Sequence, residues 1–269
     1  MLLFWPCAWG LTLAYDFSLN LNTYFFYLFR FFLGSVLMRS AGCIVNDILD
    51  RKFDAKVFRT KNRPIASGKI SVNHAIFYSV TLCLLALFVL LNFNLFTIFL
   101  ALGSMPLAFT YPLMKRITYW PQLFLGITFN YGLILGWTAI KGEIDIIPII
   151  FYLGAIFWTL GYDTIYGYQD IKDDEIIGLK STSIKFKSNP KYFIFICYLL
   201  LFILFLVGGI FMKFNYLYYL LSIISFFHLF FFQIKIFNSD NPLSCLKAFK
   251  SNNLLGLIIF LNILIVKFL

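Results

Sequence analysis

Residues 191–212 read KYFIFICYLLLFILFLVGGIFM, so that after Lys191 no charge appears for 21 residues. A helix crossing the hydrocarbon layer of a bilayer needs about 20 such residues. Eight further apolar runs, near 2–15, 24–45, 72–92, 95–113, 119–140, 146–166, 214–237 and 252–269, have the same character. The expected fold class is therefore all-α: a polytopic membrane protein of about nine transmembrane helices, forming a single unit over residues 1–269. Composition agrees, with 61% hydrophobic, 21% aromatic and only 13% charged residues, about half the charge of an average soluble domain. A water-soluble globule is excluded. The first run is short and lacks a charged lead or a small-residue cleavage site. It therefore reads as a clipped or naturally short span rather than a removable signal peptide.

The formal charge of +10 is explained by position. Of the 22 Lys and Arg, 17 fall in the second, fourth, sixth and eighth connections, and only two fall in the odd-numbered ones. Basic residues mark cytoplasmic loops, so the N-terminus is expected inside, the C-terminus outside, and the even-numbered loops in the cytoplasm of a bacterial inner (plasma) membrane. The lipid bilayer is then the partner that the charge pattern describes, and no nucleic acid is expected. The five cysteines show no CxxC pair and no His at metal spacing, and read as small hydrophobes. His74 and His228 stand alone, with no nucleophile pattern beside them.

Two connections, near 46–71 and 163–190, are long and polar among otherwise tight turns, and they hold eight of the twelve acids. In Asn46-Asp47-Ile48-Leu49-Asp50-Arg51-Lys52-Phe53-Asp54, the residues Asn46, Asp50 and Asp54 recur every four positions, one face of a helix. Like charges so spaced repel unless a cation lies between them. In the second connection Asp163, Asp170 and Asp174 fall at 0, 7 and 11, again one helical stripe. Oxygen donors without Cys or His favour Mg²⁺, which completes its octahedron with water and substrate phosphate. Two such faces meeting at the membrane surface would clamp a diphosphate; the plainer alternative is that these acids pair with the Lys and Arg around them. Arg59, Lys61, Arg63, Lys115, Arg116, Lys172, Lys180 and Lys185 are candidates for phosphate contact, or else ordinary positive-inside charge. Arg39 is different: it lies two turns before Asn46 inside an apolar helix, where an ionisable group calls for a polar cavity. It shares a face with Asn46 and Asp50 and suits a carboxylate-bearing acceptor. Arg30, near the opposite surface, is expected to snorkel.

At these residues the sequence resembles the UbiA superfamily of intramembrane aromatic prenyltransferases, and among them the 4-hydroxybenzoate polyprenyltransferases. Residues 46–54 look like the first aspartate-rich motif, with Arg59 to Gly68 as the segment after it. Tyr162 to Asp174, with Gly178-Leu179-Lys180-Ser181-Thr182, looks like the second motif and its tail. Tyr111-Pro112, Lys115-Arg116 and Pro121-Gln122 match a middle loop, and Phe4-Trp5-Pro6 matches the first helix. The resemblance implies helices around a central cavity, with Mg²⁺ as cofactor and polyprenyl diphosphate and 4-hydroxybenzoate as substrates of an early step of ubiquinone biosynthesis. It implies metal ligands among Asn46, Asp47, Asp50, Asp54, Asp163, Asp170 and Asp174. Arg59, Lys61, Arg63, Tyr111, Lys115, Arg116 and Lys180 would lie at the diphosphate and Arg39 at the acceptor. Asp163 would orient or deprotonate the phenol. Members usually carry a basic amphipathic lead-in before the first helix, whereas this chain opens inside that helix. Other acceptors (dihydroxynaphthoate, homogentisate or haem) would use the same two motifs. A secondary transporter, the alternative of another class, would carry its polar residues at mid-membrane in broken helices rather than at one surface.

Overall fold

The computed structural model describes all 269 residues and contains helices only. In chain order they are α1 (Phe4–Ala14), α2 (Leu21–Asp54), α3 (Val72–Leu90), α4 (Leu95–Thr110), α5 (Met114–Ile117), α6 (Pro121–Lys141), α7 (Ile146–Gly167), α8 (Ile171–Ile177), α9 (Thr182–Lys185), α10 (Pro190–Phe211), α11 (Tyr216–Phe226), α12 (Ile234–Ile236) and α13 (Pro242–Phe268). A 3₁₀ turn over Tyr111–Leu113 joins α4 to α5, and a π-helical stretch over Phe227–Gln233 joins α11 to α12. Eight segments are long and apolar enough to cross a membrane. The ninth, α1, has 11 residues, about 16 Å of helix. It is buried along nearly its whole length, packed between α6 and α13 and touching α2 and α7.

Local chemistry sets the boundaries. Ser71 and Asn94 accept hydrogen bonds from the His74 and Thr97 amides and start α3 and α4. Pro121, Pro190 and Pro242 occupy the first turns of α6, α10 and α13, where a missing N–H costs nothing. Gly142, in the left-handed region at φ 72°, closes α6. Two boundaries differ from the apolar runs in ways that matter. Helix α2 continues nine residues past the run ending at 45, carrying the first acidic motif out of the membrane as helix. Helix α13 begins at Pro242, ten residues before the run starting at 252, because the Asn241 side chain caps it.

Helices α2, α3 and α4 form one flank, linked through α6 to a flank made of α7, α10, α11 and α13, with α1 inside. Large side chains such as Phe25, Phe77, Phe88 and Phe99 are exposed on the outer surface, as lipid contact requires. The chain reversals after α2, α4, α7 and α12 gather at one end of the bundle, where the Tyr168 and Phe237 rings meet at 5.4 Å. At the other end Arg30 donates to the Asn92 carbonyl at 3.0 Å and stacks over Phe26, the snorkelling expected of it. The four Lys- and Arg-rich connections therefore share one side.

Candidate active site

Two cavities lie inside the bundle. The first, about 490 Å³, opens at the basic end and is polar, with five cations (Arg39, Arg59, Arg63, Lys115, Lys180) facing six carboxylates (Asp47, Asp50, Asp54, Asp163, Asp170, Asp174). The second, about 640 Å³, is lined mostly by apolar side chains of α2, α3, α4 and α6. Leu3, Arg39, Tyr111 and Phe129 line both, so the two meet at the Arg39 side chain.

One polar wall is the end of α2. Because the helix runs unbroken to Asp54, Asn46, Asp50 and Asp54 stand on one face, with Asp47 beside them. Asp50 is 1% exposed and Asp54 8%, and both are paired. Lys115 makes a close ion pair with Asp50, which Arg116 also reaches at 3.4 Å. Arg63 bridges Asp47 at 2.9 Å and Asp54 at 3.0 Å. The facing wall comes from α7 and α8. Here the expected single stripe is corrected: α7 ends at Gly167, and Asp170 is the residue before α8, with φ −116° and ψ 10°. Asp163 sits on α7 and Asp174 on α8, and the turn between these helices brings all three carboxylates to the cavity. That turn is fastened from below. Thr182 N–H donates to Gln122 Oε1 at 3.0 Å, and Ser183 Oγ donates to the Thr164 carbonyl at 2.8 Å. A Cβ at Gly167 would run into Ser183 Oγ and push that hydroxyl off the Thr164 carbonyl, so glycine suits this packing. Arg59 crosses between the walls, donating through Nε to Asp170 at 2.7 Å and through Nη1 to Tyr166 Oη at 3.2 Å.

The carboxylates are thus gathered around one hollow; Asp47, Asp50, Asp54 and Asp170 are matched to cations while Asp163 and Asp174 are not, and no three acidic side chains converge on a point as a ready-made ligand cage. Crowding is nonetheless evident at Asp174, whose carboxyl is pushed up to about 6 by burial and then by Asp170. A divalent cation between the walls would relieve that crowding. Oxygen-only donors, three carboxylates on each wall, fit Mg²⁺ taken up together with a diphosphate.

Among the expected site residues, Lys61 lies outside the cavity, exposed and packed over the Phe58 ring at 4.6 Å, because the 55–70 segment turns its side chain away. Arg116 sits behind Asp50, donating to the Leu49 carbonyl at 2.7 Å and lying over Phe53, so it touches the cavity only through that carboxylate. Lys180 lines the cavity and donates to the Ile117 carbonyl at 3.2 Å, while its own N–H donates to the Lys115 carbonyl at 2.8 Å. Arg39 makes no ion pair and rests over the Phe129 ring at 5.1 Å. Lining residues with no assigned role in the sequence include Gln122, Tyr162, Phe249 and Asn253. The Asn252-Asn253 pair, polar within a span, was the available signal for the last.

The chain matches the UbiA prenyltransferase family over residues 3–263. It is 45% identical over 269 residues to the mitochondrial 4-hydroxybenzoate polyprenyltransferase of Bos taurus, covering 98% of this chain and 71% of that protein. It is 49% identical over 191 residues to the protein of the same name from Rattus norvegicus, covering 71% of this chain and about half of that protein's length. In fold it is similar to a UbiA homolog from Aeropyrum pernix K1, with a TM-score of 0.81 at 20% identity over 98% of this chain and 96% of that one. It is also similar to a UbiA homolog from Archaeoglobus fulgidus bound to DMAPP and Mg²⁺, with a TM-score of 0.70 at 17% identity over 97% and 94%. A two-walled acidic cavity at one membrane surface and a match along nearly the whole sequence lead to one placement: this chain is a member of the UbiA prenyltransferase family.

Proposed function

We propose that this chain transfers a polyprenyl group from an allylic polyprenyl diphosphate to the ring carbon ortho to the hydroxyl of 4-hydroxybenzoate, an early membrane-bound step of ubiquinone biosynthesis. The observation that carries this reading is the junction at Arg39. A polar cavity suited to a metal diphosphate and a carboxylate meets, at that side chain, an apolar cavity suited to an isoprenoid tail. The names of the bovine and rat relatives supply the acceptor.

Asn46, Asp47, Asp50 and Asp54 would hold Mg²⁺ from one wall and Asp170 and Asp174 from the other. Bound Mg²⁺ supplies charge neutralisation to the diphosphate. Arg59, Arg63, Lys115 and Lys180 exchange their carboxylate partners for diphosphate oxygens, Arg as a fork and Lys as a point charge. Tyr111 lies beside them at the cavity junction. The allylic C–O bond breaks with its electron pair leaving on the diphosphate, and the cation left behind is faced by the Tyr111, Phe129, Tyr162 and Phe249 rings. Arg39, free of any ion pair, binds the acceptor carboxylate. Asp163, which also makes no ion pair, orients the phenol and draws its proton as the ortho ring carbon forms the new C–C bond; the ring carbon then gives its own proton to the departed diphosphate, restoring aromaticity, and Asp163 returns the hydroxyl proton, so that one proton is released per transfer. The charge pattern supports placing the cavity mouth on the cytoplasmic side of a bacterial inner membrane. The bovine and rat relatives are named mitochondrial.

The test is direct. Membranes carrying the chain, given an allylic polyprenyl diphosphate and 4-hydroxybenzoate, form the C-prenylated acid only with Mg²⁺. Asp50→Ala and Asp170→Ala abolish product while the protein remains inserted. Full turnover by both variants would refute the reading.

A further inference from the structure

Five buried side-chain polar atoms in the chain have no hydrogen-bond partner: Trp5 Nε1, Trp137 Nε1, His228 Nε2, Asn262 Oδ1 and Asn253 Oδ1. Only Asn253 belongs to the lining of the polar cavity. Asn262 still donates to the Tyr218 carbonyl and to Ser222, whereas the Asn253 amide makes no hydrogen bond at either end. A buried carbonyl oxygen left unpaired is costly, and native interiors rarely keep one without a reason.

The rotation that aims Asn253 into the cavity is enforced by its neighbour. Asn252 accepts from Trp158 Nε1 at 2.7 Å and from Gln233 Nε2 at 3.0 Å, and Gln233 in turn accepts from Tyr198 Oη at 2.6 Å. This buried network fixes the turn of α13 at residue 252, and residue 253 follows. One turn earlier on the same face, Phe249 packs against Tyr162 at 5.7 Å and Tyr166 at 4.5 Å. Asn253 therefore lies one turn deeper than Phe249 and lines the same cavity as Arg39.

We infer that Asn253 recognises the phenolic hydroxyl of the acceptor while Arg39 holds its carboxylate. The complement of Arg39 is an anion. The complement of an uncharged amide that shows either its carbonyl or its NH₂ is a group that both donates and accepts, which a hydroxyl does and a carboxylate does not. The two residues thus read the two ends of one para-substituted ring, and Asn253 sets specificity for the hydroxyl end.

This inference rests on the proposed reaction, and the experiment separates the two. The KM for 4-hydroxybenzoate and the inhibition constant of benzoate, which lacks the hydroxyl, are measured for the full chain in membranes and for Asn253→Leu, Asn253→Ala and Asn253→Ser. In Asn253→Leu and Asn253→Ala the KM rises about tenfold, equivalent to about 1.4 kcal/mol. Benzoate inhibition stays within about twofold of the parent, because that ligand never used the amide. Asn253→Ser, which keeps a hydrogen-bonding group, recovers part of the loss. Parallel shifts for both ligands, or no shift in either, overturn the assignment of Asn253 and leave the reaction standing. Absence of turnover in the parent chain overturns the reaction itself, and this inference with it.

Discussion

The two flanks of this bundle are packed to different standards. Over the membrane-spanning windows of α6, α7 and α10, 50%, 56% and 44% of residues are buried; in α2, α3 and the α4 segment the figure is 17% each. The glycines show the same division. A Cβ at Gly10 would strike the Leu133 carbonyl, at Gly136 the Cys7 carbonyl, and at Gly161 and Gly209 the rings of Tyr198 and Tyr218. These glycines exist so that helices can touch, the usual reason for small residues in membrane interfaces. Gly34 and Gly42 on α2 line the apolar cavity, yet a Cβ at either meets nothing within 4 Å. They bring no helices together and leave space open. One flank is a rigid frame holding Asp163, Tyr162 and Asn253; the other is a loose wall beside which a long flexible tail can lie.

Breaking the frame should have the largest effect. Gly10→Ala or Gly136→Ala sets a methyl group against main chain that cannot yield. The expected loss is about 3 kcal/mol, at the upper end for overpacking, read as a large drop in the unfolding midpoint in detergent. Gly34→Leu tests the open side. The fold is retained, but kcat/KM falls about tenfold for long polyprenyl diphosphates and is spared for dimethylallyl diphosphate, because Gly34 lies five residues, about 7.5 Å of helix, beyond Arg39. Equal loss for both donors would mean that the apolar cavity does not hold the tail. Acidification probes the mouth where the flanks meet. As pH falls through about 6, Asp174 takes up a proton and ceases to attract cation, so activity at limiting Mg²⁺ declines below that pH. Its raised pKa also means that the folded chain binds this proton more readily than the unfolded one, so stability rises over the same descent. Asp174→Asn removes both trends. The smallest effect is expected at Lys61→Ala, which leaves kcat/KM within about twofold because that side chain points away from the cavity.

What the sequence made legible follows the same division. The Asn46-Asp50-Asp54 face was readable because repeating oxygen donors four residues apart need only a continuous helix, and α2 supplies one. Asp163, Asp170 and Asp174 were correctly grouped for an incorrect reason: their spacing suits a helix, but Gly167 ends it and a turn does the gathering. Arg39 announced itself as a charge inside an apolar run. Asn253 did so only faintly, since it stands at the very start of the apolar run, where polar residues mark a span's end, until Asn241 and Pro242, as cap and first turn, place it about three turns inside α13. The apolar cavity left no trace in composition, because a Phe facing lipid, a Phe facing a tail and a Phe in a packed core are the same letter. The burial of α1 was equally hidden, as it depends on contacts with α6 and α13 that no local pattern encodes.

The central claim is that the α2 wall and the α7–α8 wall act together on one metal diphosphate. Calorimetric binding of a non-reactive prenyl thiodiphosphate to the parent chain, Asp50→Asn, Asp170→Asn and the double variant, each with and without Mg²⁺, tests it most directly. Mg²⁺-dependent binding is expected in the parent, with a loss of about tenfold or more in each single variant and a double variant little worse than either, giving a coupling above about 1 kcal/mol. Additive losses, or binding indifferent to Mg²⁺, would contradict it.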